Sequence, residues 1–454
     1  MSDRMSSRRK LSVINDAAGA SDWRFAIRAL RHRNYLLFFS GQTVSLIGTW
    51  MTRIATSWLV YRLTKSAFLL GVVGFSGQIP IFLLGLFAGV WVDRWSRRRV
   101  LVLTQTLSMV QSFLLAALAL SHRITVTDII LLSLFQGAIN AFDMPARQAF
   151  VIQMVESRED LPNAIALNSS MVNASRLIGP SIAGAVIAMS NEGYCFLIDG
   201  VSYIAVIASL LAMKMVVKQK FEIRRRVLQE LAEGWRYVSG FVPIRSILLL
   251  LALVSLVGMP YTVLMPLFAA KVLHGGPHTL GFLMGASGVG ALFSATWLAT
   301  RKSVLGLGRV IPTMAAIFGG ALIAFSFSHW LWLSLLLMVV TGFGMMQQMA
   351  ASNTVLQTIV EDDKRGRVMS FYSMAFQGIA PFGSLFAGIL AARIGAPFTL
   401  AIGGACCIAG AGWFLSKLPQ IRAHVRPIYG RMGILPEITQ GLQAAAVLQI
   451  PPED

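Results

Sequence analysis

The chain is poor in charge: only 13% of its 454 residues are charged, about half the share of an ordinary soluble domain. Mean hydropathy is +0.67, and a water-soluble protein of this size would expose too much hydrocarbon to stay in solution. Disorder is excluded by the same numbers, because low hydrophobicity defines disordered chains and 56% of this one is apolar or aromatic. Cysteine is scarce as well. Cys195, Cys406 and Cys407 all sit in apolar runs and cannot build a disulfide framework. No GxxxxGK[ST] loop, HExxH helix or paired CxxC occurs, so no nucleotide-driven pump, metal site or cofactor is expected. The six histidines lie near or beyond the ends of apolar runs without ligand spacing. Carboxylates number 20 against 39 Lys and Arg, a formal charge of +19. In a soluble domain that excess would suggest nucleic acid, but here the basic residues lie between long apolar segments, and no nucleic-acid partner is expected. The composition is that of a polytopic membrane protein.

Apolar runs of about 20 residues predict twelve helical spans, at 34–61, 68–92, 100–121, 127–146, 163–189, 194–216, 244–270, 279–300, 309–327, 330–353, 368–392 and 396–416. Residues 1–33 are polar and basic without a short apolar core, so the first span is read as a retained helix rather than a signal peptide. Thirty-two of the 39 Lys and Arg fall in segments on the side of the termini, and the opposite loops hold five: Arg62, Lys65, Arg123, Lys271 and Arg393. The positive-inside bias therefore predicts both termini in the cytoplasm.

The charged stretch 217–243, with Arg224, Arg225 and Arg226, divides the spans six and six. The predicted organisation is a cytoplasmic segment (1–33), a six-helix bundle (34–216), a connector (217–243), a second bundle (244–416) and a cytoplasmic tail (417–454). Within the connector, residues 228–237 read as a helix along the membrane surface. Gly137 and Gly342 stand at an offset of 205, as do Glu156 and Glu361, and Pro180 and Pro381 at 201. Such parallel six-helix repeats, with a binding site between them, are a transporter architecture.

Two motifs sharpen that reading. Between spans two and three stand Gly89, Asp93, Arg94, Arg97, Arg98 and Arg99. Their spacing resembles the G-x-x-x-D-R-x-G-R-R/K loop of the major facilitator superfamily, with Ser96 in place of a glycine. Physically, Gly89 permits close helix packing, and Asp93 can pair with an arginine or a helix N-terminus, an attraction of about 0.3–1 kcal/mol. The resemblance implies a latch that holds one access state. In span five, Ser175, Gly179, Pro180, Ala183 and Gly184 resemble the antiporter motif g-x-x-x-G-P-x-x-G-G of the same superfamily, with two glycines replaced. Small residues allow close helix contact, and proline opens the backbone ladder. The resemblance spans residues 25–440. It points to the bacterial exporter branch that includes the enterobactin exporter and macrolide-efflux-like proteins, as do Gly48 with Trp50, Trp58 with Tyr61, Pro145 with Arg147, and Arg365 with Arg367. The arginine that many drug antiporters carry in span four is Ser133 here. The usual charge relay is thus incomplete.

Polar residues inside spans face the bundle or a wet cavity. Span one carries Gln42, Ser45, Thr49, Thr52, Arg53 and Thr56 at helical spacing; span four carries Ser133, Gln136, Asn140, Asp143 and Arg147; span five carries Ser169, Asn173, Arg176 and Pro180. Candidate substrate contacts are Gln42, Thr49, Arg53, Asn140, Asn173, Arg176, Met259, Gln348 and Gln377. Met345, Met346 and Met349 offer adaptable apolar surface. Arg53, Arg176 and Asp199 are the charges well inside the bilayer, with Asp143 near the inner end of span four. Internal pairing of an arginine with Asp199 is the alternative to ligand or proton work. Asp143 and Asp199 are the candidates for proton coupling.

The expectation is an all-α major facilitator fold of two pseudo-symmetric bundles in the bacterial inner membrane, monomeric and not an enzyme. It would export a small amphipathic molecule, siderophore-like or drug-like, by proton antiport and alternating access. A lipid or lysolipid flippase of the same fold is the alternative, and a membrane scaffold or sensor a more distant one.

Overall fold

The computed structural model describes residues 27–155, 157, 159–214, 227–301 and 303–432. Helix is the regular element throughout the described residues, as a hydrocarbon environment demands of a chain that does not close a barrel. Twelve long spans run antiparallel: Arg33–Thr64, Ala67–Arg94, Arg97–Leu120, Val126–Met154, Leu161–Met189 and Glu192–Ala212, then Val242–Val272, Pro277–Thr300, Leu307–Ser326, Leu331–Ile359, Asp363–Ile394 and Ala396–Arg431. Short caps turn the chain between them. The Ser66 side chain accepts from the Leu69 amide, Thr125 and Asp128 form a reciprocal capping box, and Asn191 accepts from Gly193; each satisfies amides that a helix start leaves open.

Eleven of the twelve are long and apolar enough to cross a membrane on their own. The exception is span one, which Gln42, Thr43, Ser45, Thr49, Thr52, Arg53 and Thr56 interrupt. Its surroundings explain why this is tolerated. Span one touches spans two, four, five, six, seven and eight, so protein replaces lipid around it. Several helices outrun their apolar runs: span four continues to Met154, span ten to Ile359 and span twelve to Arg431. Hydropathy marks the segment in hydrocarbon, whereas the helix persists past it into the polar layer.

The repeat read from the sequence is visible as packing. Gly137 brings span four against Gly77 and Pro80 of span two, and Gly342 brings span ten against the backbone of Ser287 on span eight. The halves meet along two seams, span two with span eleven and span five with span eight. Each seam has a glycine–glycine crossing. A Cβ on Gly388 would lie 2.7 Å from the Cα of Gly71, and one on Gly281 would lie 3.0 Å from the Cα of Gly184.

The seams do not run the full length of the helices. The outer portions of spans seven and eleven, Tyr261–Leu267 and Ala380–Ile394, pack against spans one and two. Their inner portions, Val242–Leu253 and Asp362–Ser373, on the side of the termini, make no substantial contact with the first half among the described residues. A π-helical turn marks the transition in each helix, at Val254–Gly258 and Met374–Gly378. Proline accounts for both. Pro260 and Pro381 have no amide to donate to the carbonyls of Leu256 and Gln377 four residues back, and the ladder widens there instead.

The connector helix, Val227–Gly240, docks on the inner end of span eleven. Glu233 pairs with Arg367 at 3.1 Å, Gly234 sits under Phe371, and Trp235 meets the Phe371 ring at 6.0 Å. Burial, with Glu361 nearby, raises the Tyr237 phenol above its ordinary range.

Candidate functional site

A polar seam runs through the middle of the first half, centred on span three. Thr104, Gln105, Ser108, Gln111 and Ser112 are all buried on one face of it. That face collects the two carboxylates. Asp143 Oδ1 accepts from Thr104 Oγ1 at 2.9 Å and Gln105 Nε2 at 2.7 Å, while its Oδ2 pairs with Arg147 one turn along at 3.0 Å. Asp199 Oδ2 accepts from Thr52 Oγ1 at 2.8 Å and Ser112 Oγ at 2.9 Å. Its Oδ1 is buried without a hydrogen-bond partner, beside Gly48 of span one. Gln136 of span four donates to Ser108 and Asn140.

The polar stripe of span one divides between two faces. Gly41, Ser45 and Gly48 are buried; Gly41 packs on Ser209 and Gly48 on Asp199 and Ser202, so this face meets span six, while Gln42, also buried, lies about 100° round the helix from Gly41. Thr49 lies 3.4 Å from the Tyr203 hydroxyl and also donates to the Ser45 carbonyl. Trp50 and Arg53 belong to the other face. Gly179 of span five packs directly against Trp50, with the Ile47 carbonyl 2.9 Å from where its Cβ would be. The Arg53 guanidinium stands 4.7 Å from the Trp50 ring centre and that of Arg176 5.6 Å. Two cations thus share one indole, each within cation–π range. Neither has a hydrogen-bond or ion-pair partner among the described residues, so neither is paired with Asp199.

The antiporter-motif residues serve both seams of span five. Gly179 seats span one, and Gly184 seats Pro277, His278 and Gly281 of span eight. Pro180 leaves the Arg176 carbonyl without its helical donor. The latch motif is described in part: the side chains of Gly89, Asp93 and Arg94 lie outside the described residues. Arg97 donates to the Ala149 carbonyl at 3.3 Å. Arg98 donates to Leu210 and Leu211 at 2.7 and 2.8 Å, closing the open carbonyl end of span six.

The remaining candidates are scattered around this centre. Asn173 is buried and donates to the Ser169 carbonyl at 2.9 Å within its own helix. Gln348 is buried with its amide nitrogen unpartnered, and the neighbouring Gln347 accepts from Ser294 at 2.8 Å. Met259 and Gln377 are half-buried beside the π-turns, as are Met346 and Met349 on span ten, while Met345 is buried. Across those turns the Ser255 hydroxyl donates to the Phe376 carbonyl. Three features escaped the sequence reading: Trp50 as the shared partner of two arginines, the span three stripe, and Ser255 as a tie between spans. The stripe was readable, since Thr104, Ser108, Gln111 and Ser112 recur at helical spacing.

The description of the transmembrane secretion effector family matches residues 25–429. The chain is similar to the staphyloferrin A transporter of Staphylococcus aureus, with 27% identity over 85% of this chain and 97% of that one. It is also similar to the multidrug efflux pump Tap of Mycolicibacterium fortuitum (26% identity, 79% of this chain and 89% of that one). Macrolide efflux protein A of Streptococcus pyogenes matches at 22% identity, over 80% and 92% of the two chains. Among solved structures, an inward-facing, unoccupied bacterial homologue of the human lysosomal transporter Spinster superposes with a TM-score of 0.61 at 14% identity, covering 90% of this chain and 98% of that one. A POT family transporter in complex with a thioalcohol-conjugated peptide gives a TM-score of 0.67 at 12% identity, covering 86% and 96%. At such identities these two establish the fold alone.

Proposed function

The chain belongs to the transmembrane secretion effector family, a branch of the major facilitator superfamily, and on that premise we propose that it is a secondary active exporter working by alternating access. One observation carries the proposal: among the described residues the halves touch along the outer portions of spans seven and eleven and make no substantial contact along the inner ones, with a π-turn at each transition. With the termini placed in the cytoplasm by the positive-inside bias, this is the state that loads cargo from the cytoplasm. Rocking of the halves then carries the midplane site to the other face.

The family names and the half-buried methionines at 259, 346 and 349 favour small amphipathic cargo, siderophore-like or drug-like. Membrane transport of such compounds is what the relatives' names describe; its direction and coupling here are our reading. The protein acts in the bacterial inner membrane as a monomer. Proton antiport is the proposed drive, since one charge crossing is worth about 2.3 kcal/mol per 100 mV. Of the two candidate carboxylates, Asp143 is already neutralised by Arg147, whereas Asp199 has an oxygen free. We therefore assign the proton to Asp199. Thr52, which binds it, immediately precedes Arg53 on span one, so protonation and cargo act on one helix. Asp93, with Arg94 and its neighbours, is the proposed latch: D93N should slow transport while membrane insertion survives.

The test is two-sided labelling. Gln42 and Ser255 are buried, so the reporter belongs at Thr56, half-buried three residues beyond Arg53 on span one. A T56C variant should react with impermeant maleimide from the cytoplasmic side, and from the other side under conditions that drive turnover. Reaction from one side alone, under every condition, would refute alternating access.

A further inference from the structure

Resting on the exporter reading, we infer that Arg53, Trp50 and Arg176 form the subsite for an anionic cargo group, and that the cargo is an organic polyanion. An ionisable side chain held at the middle of a membrane protein needs a partner or a function. In the first half each buried carboxylate is already engaged away from these arginines. Asp143 is bonded to Thr104, Gln105 and Arg147, Asp199 is held by Thr52 and Ser112 against the Gly48 face of span one, and Glu192 pairs with Arg62. Two guanidinium groups are left over, and no described side chain supplies their counter-charge.

Their exposure says where that charge comes from. Arg53 is exposed and Arg176 partly so, although span one is ringed by six other helices from both halves. The exposed face at its centre opens on the space between the halves, the space that the parted inner ends leave accessible. Trp50 sets the geometry. Its indole engages both cations at 4.7 and 5.6 Å, so the two guanidinium carbons lie within about 10 Å of each other, close enough for one molecule to bridge. Gly179, three residues after Arg176, holds span five against Trp50 and fixes that spacing. A guanidinium stacked on a ring keeps its N–H edges free, and those edges match a carboxylate in bidentate fashion. A cationic amphiphile would face two uncompensated positive charges at the same place.

The experiment uses the full chain in lipid nanodiscs, with citrate as the anionic probe and tetraphenylphosphonium as the cationic one, each followed by equilibrium dialysis. Wild type should bind citrate saturably. R53Q and R176Q should each weaken it by roughly tenfold or more, the loss expected for one charge-assisted contact. R53K, which keeps the charge without the fork, should fall between wild type and R53Q. Unchanged melting of the variants would show that they are folded. Absence of citrate binding, or equal binding by wild type and the R53Q/R176Q double variant, would overturn the inference. A transport assay separates the two readings. Uptake of tetraphenylphosphonium into inside-out vesicles without citrate binding leaves an exporter whose cargo is not anionic. Citrate binding that needs both arginines, without uptake of any solute, keeps the subsite and removes the exporter.

Discussion

The Ser255 hydroxyl donates to the Phe376 carbonyl, joining the π-turn of span seven to the π-turn of span eleven. Above this tie both helices pack on the first half, and below it, among the described residues, they pack within the second half and on the connector helix instead. The two turns thus mark one boundary. A widened ladder frees carbonyls and bends a helix without a break, which suits a hinge between a sealed and an open segment. Hydrogen bonds between membrane helices are worth roughly 0.6 kcal/mol on average, so S255A should leave the fold intact. It should let the inner segments of spans seven and eleven move independently. Spin labels on those two segments should report a broader distance distribution in S255A than in wild type. An identical distribution would remove the tie from the mechanism.

The glycine crossings make a sharper prediction. No side chain fits at Gly281 or Gly71 while the outer seams are closed, because the opposing atoms are backbone. Overpacking of this kind costs about 1–3 kcal/mol, roughly 5- to 150-fold in the balance of states. G281L or G71L should therefore favour separation of the outer ends. Labels at Arg123, in the outer loop after span three, and at Arg393, in the last turn of span eleven, both exposed and on opposite halves, should move apart in either variant. Unchanged separation in both would mean that the seams yield locally and do not set the access state.

Asp143 and Asp199 should separate in their variants. Removing the Asp143 charge leaves Arg147 without its counter-ion, and that arginine is only 22% exposed. Unpaired buried charges destabilise strongly, so D143N should lower thermal stability, and R147Q in the same chain should restore much of the loss. D199N replaces an oxygen that has no partner and leaves no cation stranded. It should fold normally and fail in coupling. Equal thermal losses in D143N and D199N would contradict this division of roles.

The span count and the division into halves follow from features that one sequence carries: apolar runs, a charged connector, and glycine and proline at matched offsets; which helices form the seams does not. Pro180 and Pro381 were found by arithmetic, and each proved to lie on a helix that crosses to the other half. Side-chain partners were harder to read. Periodicity put Thr52 and Arg53 on one polar stripe, yet Thr52 turns to Asp199 of span six and Arg53 stands over Trp50 on the side of span five. A stripe gives the azimuth of a residue on its own helix, whereas the identity of the facing helix is a property of the assembled bundle. The same limit hid Trp50, whose role depends on two arginines 123 positions apart in the chain, at 53 and 176. It also left open whether those arginines pair with Asp199; Thr52 and Ser112 occupy that carboxylate instead.

The central claim is coupled export, and flux in proteoliposomes tests it most directly. Purified protein would be reconstituted with its cytoplasmic face outward, a pH dye enclosed, the lumen made acidic, and a panel of organic anions and amphipathic cations offered outside. The account predicts that at least one solute, an anion by the subsite argument, accumulates unmodified in the lumen as the lumen loses protons. D199N should retain cargo binding and lose that proton movement. Solute accumulation with no proton counterflow, or counterflow that persists in D199N, would contradict it.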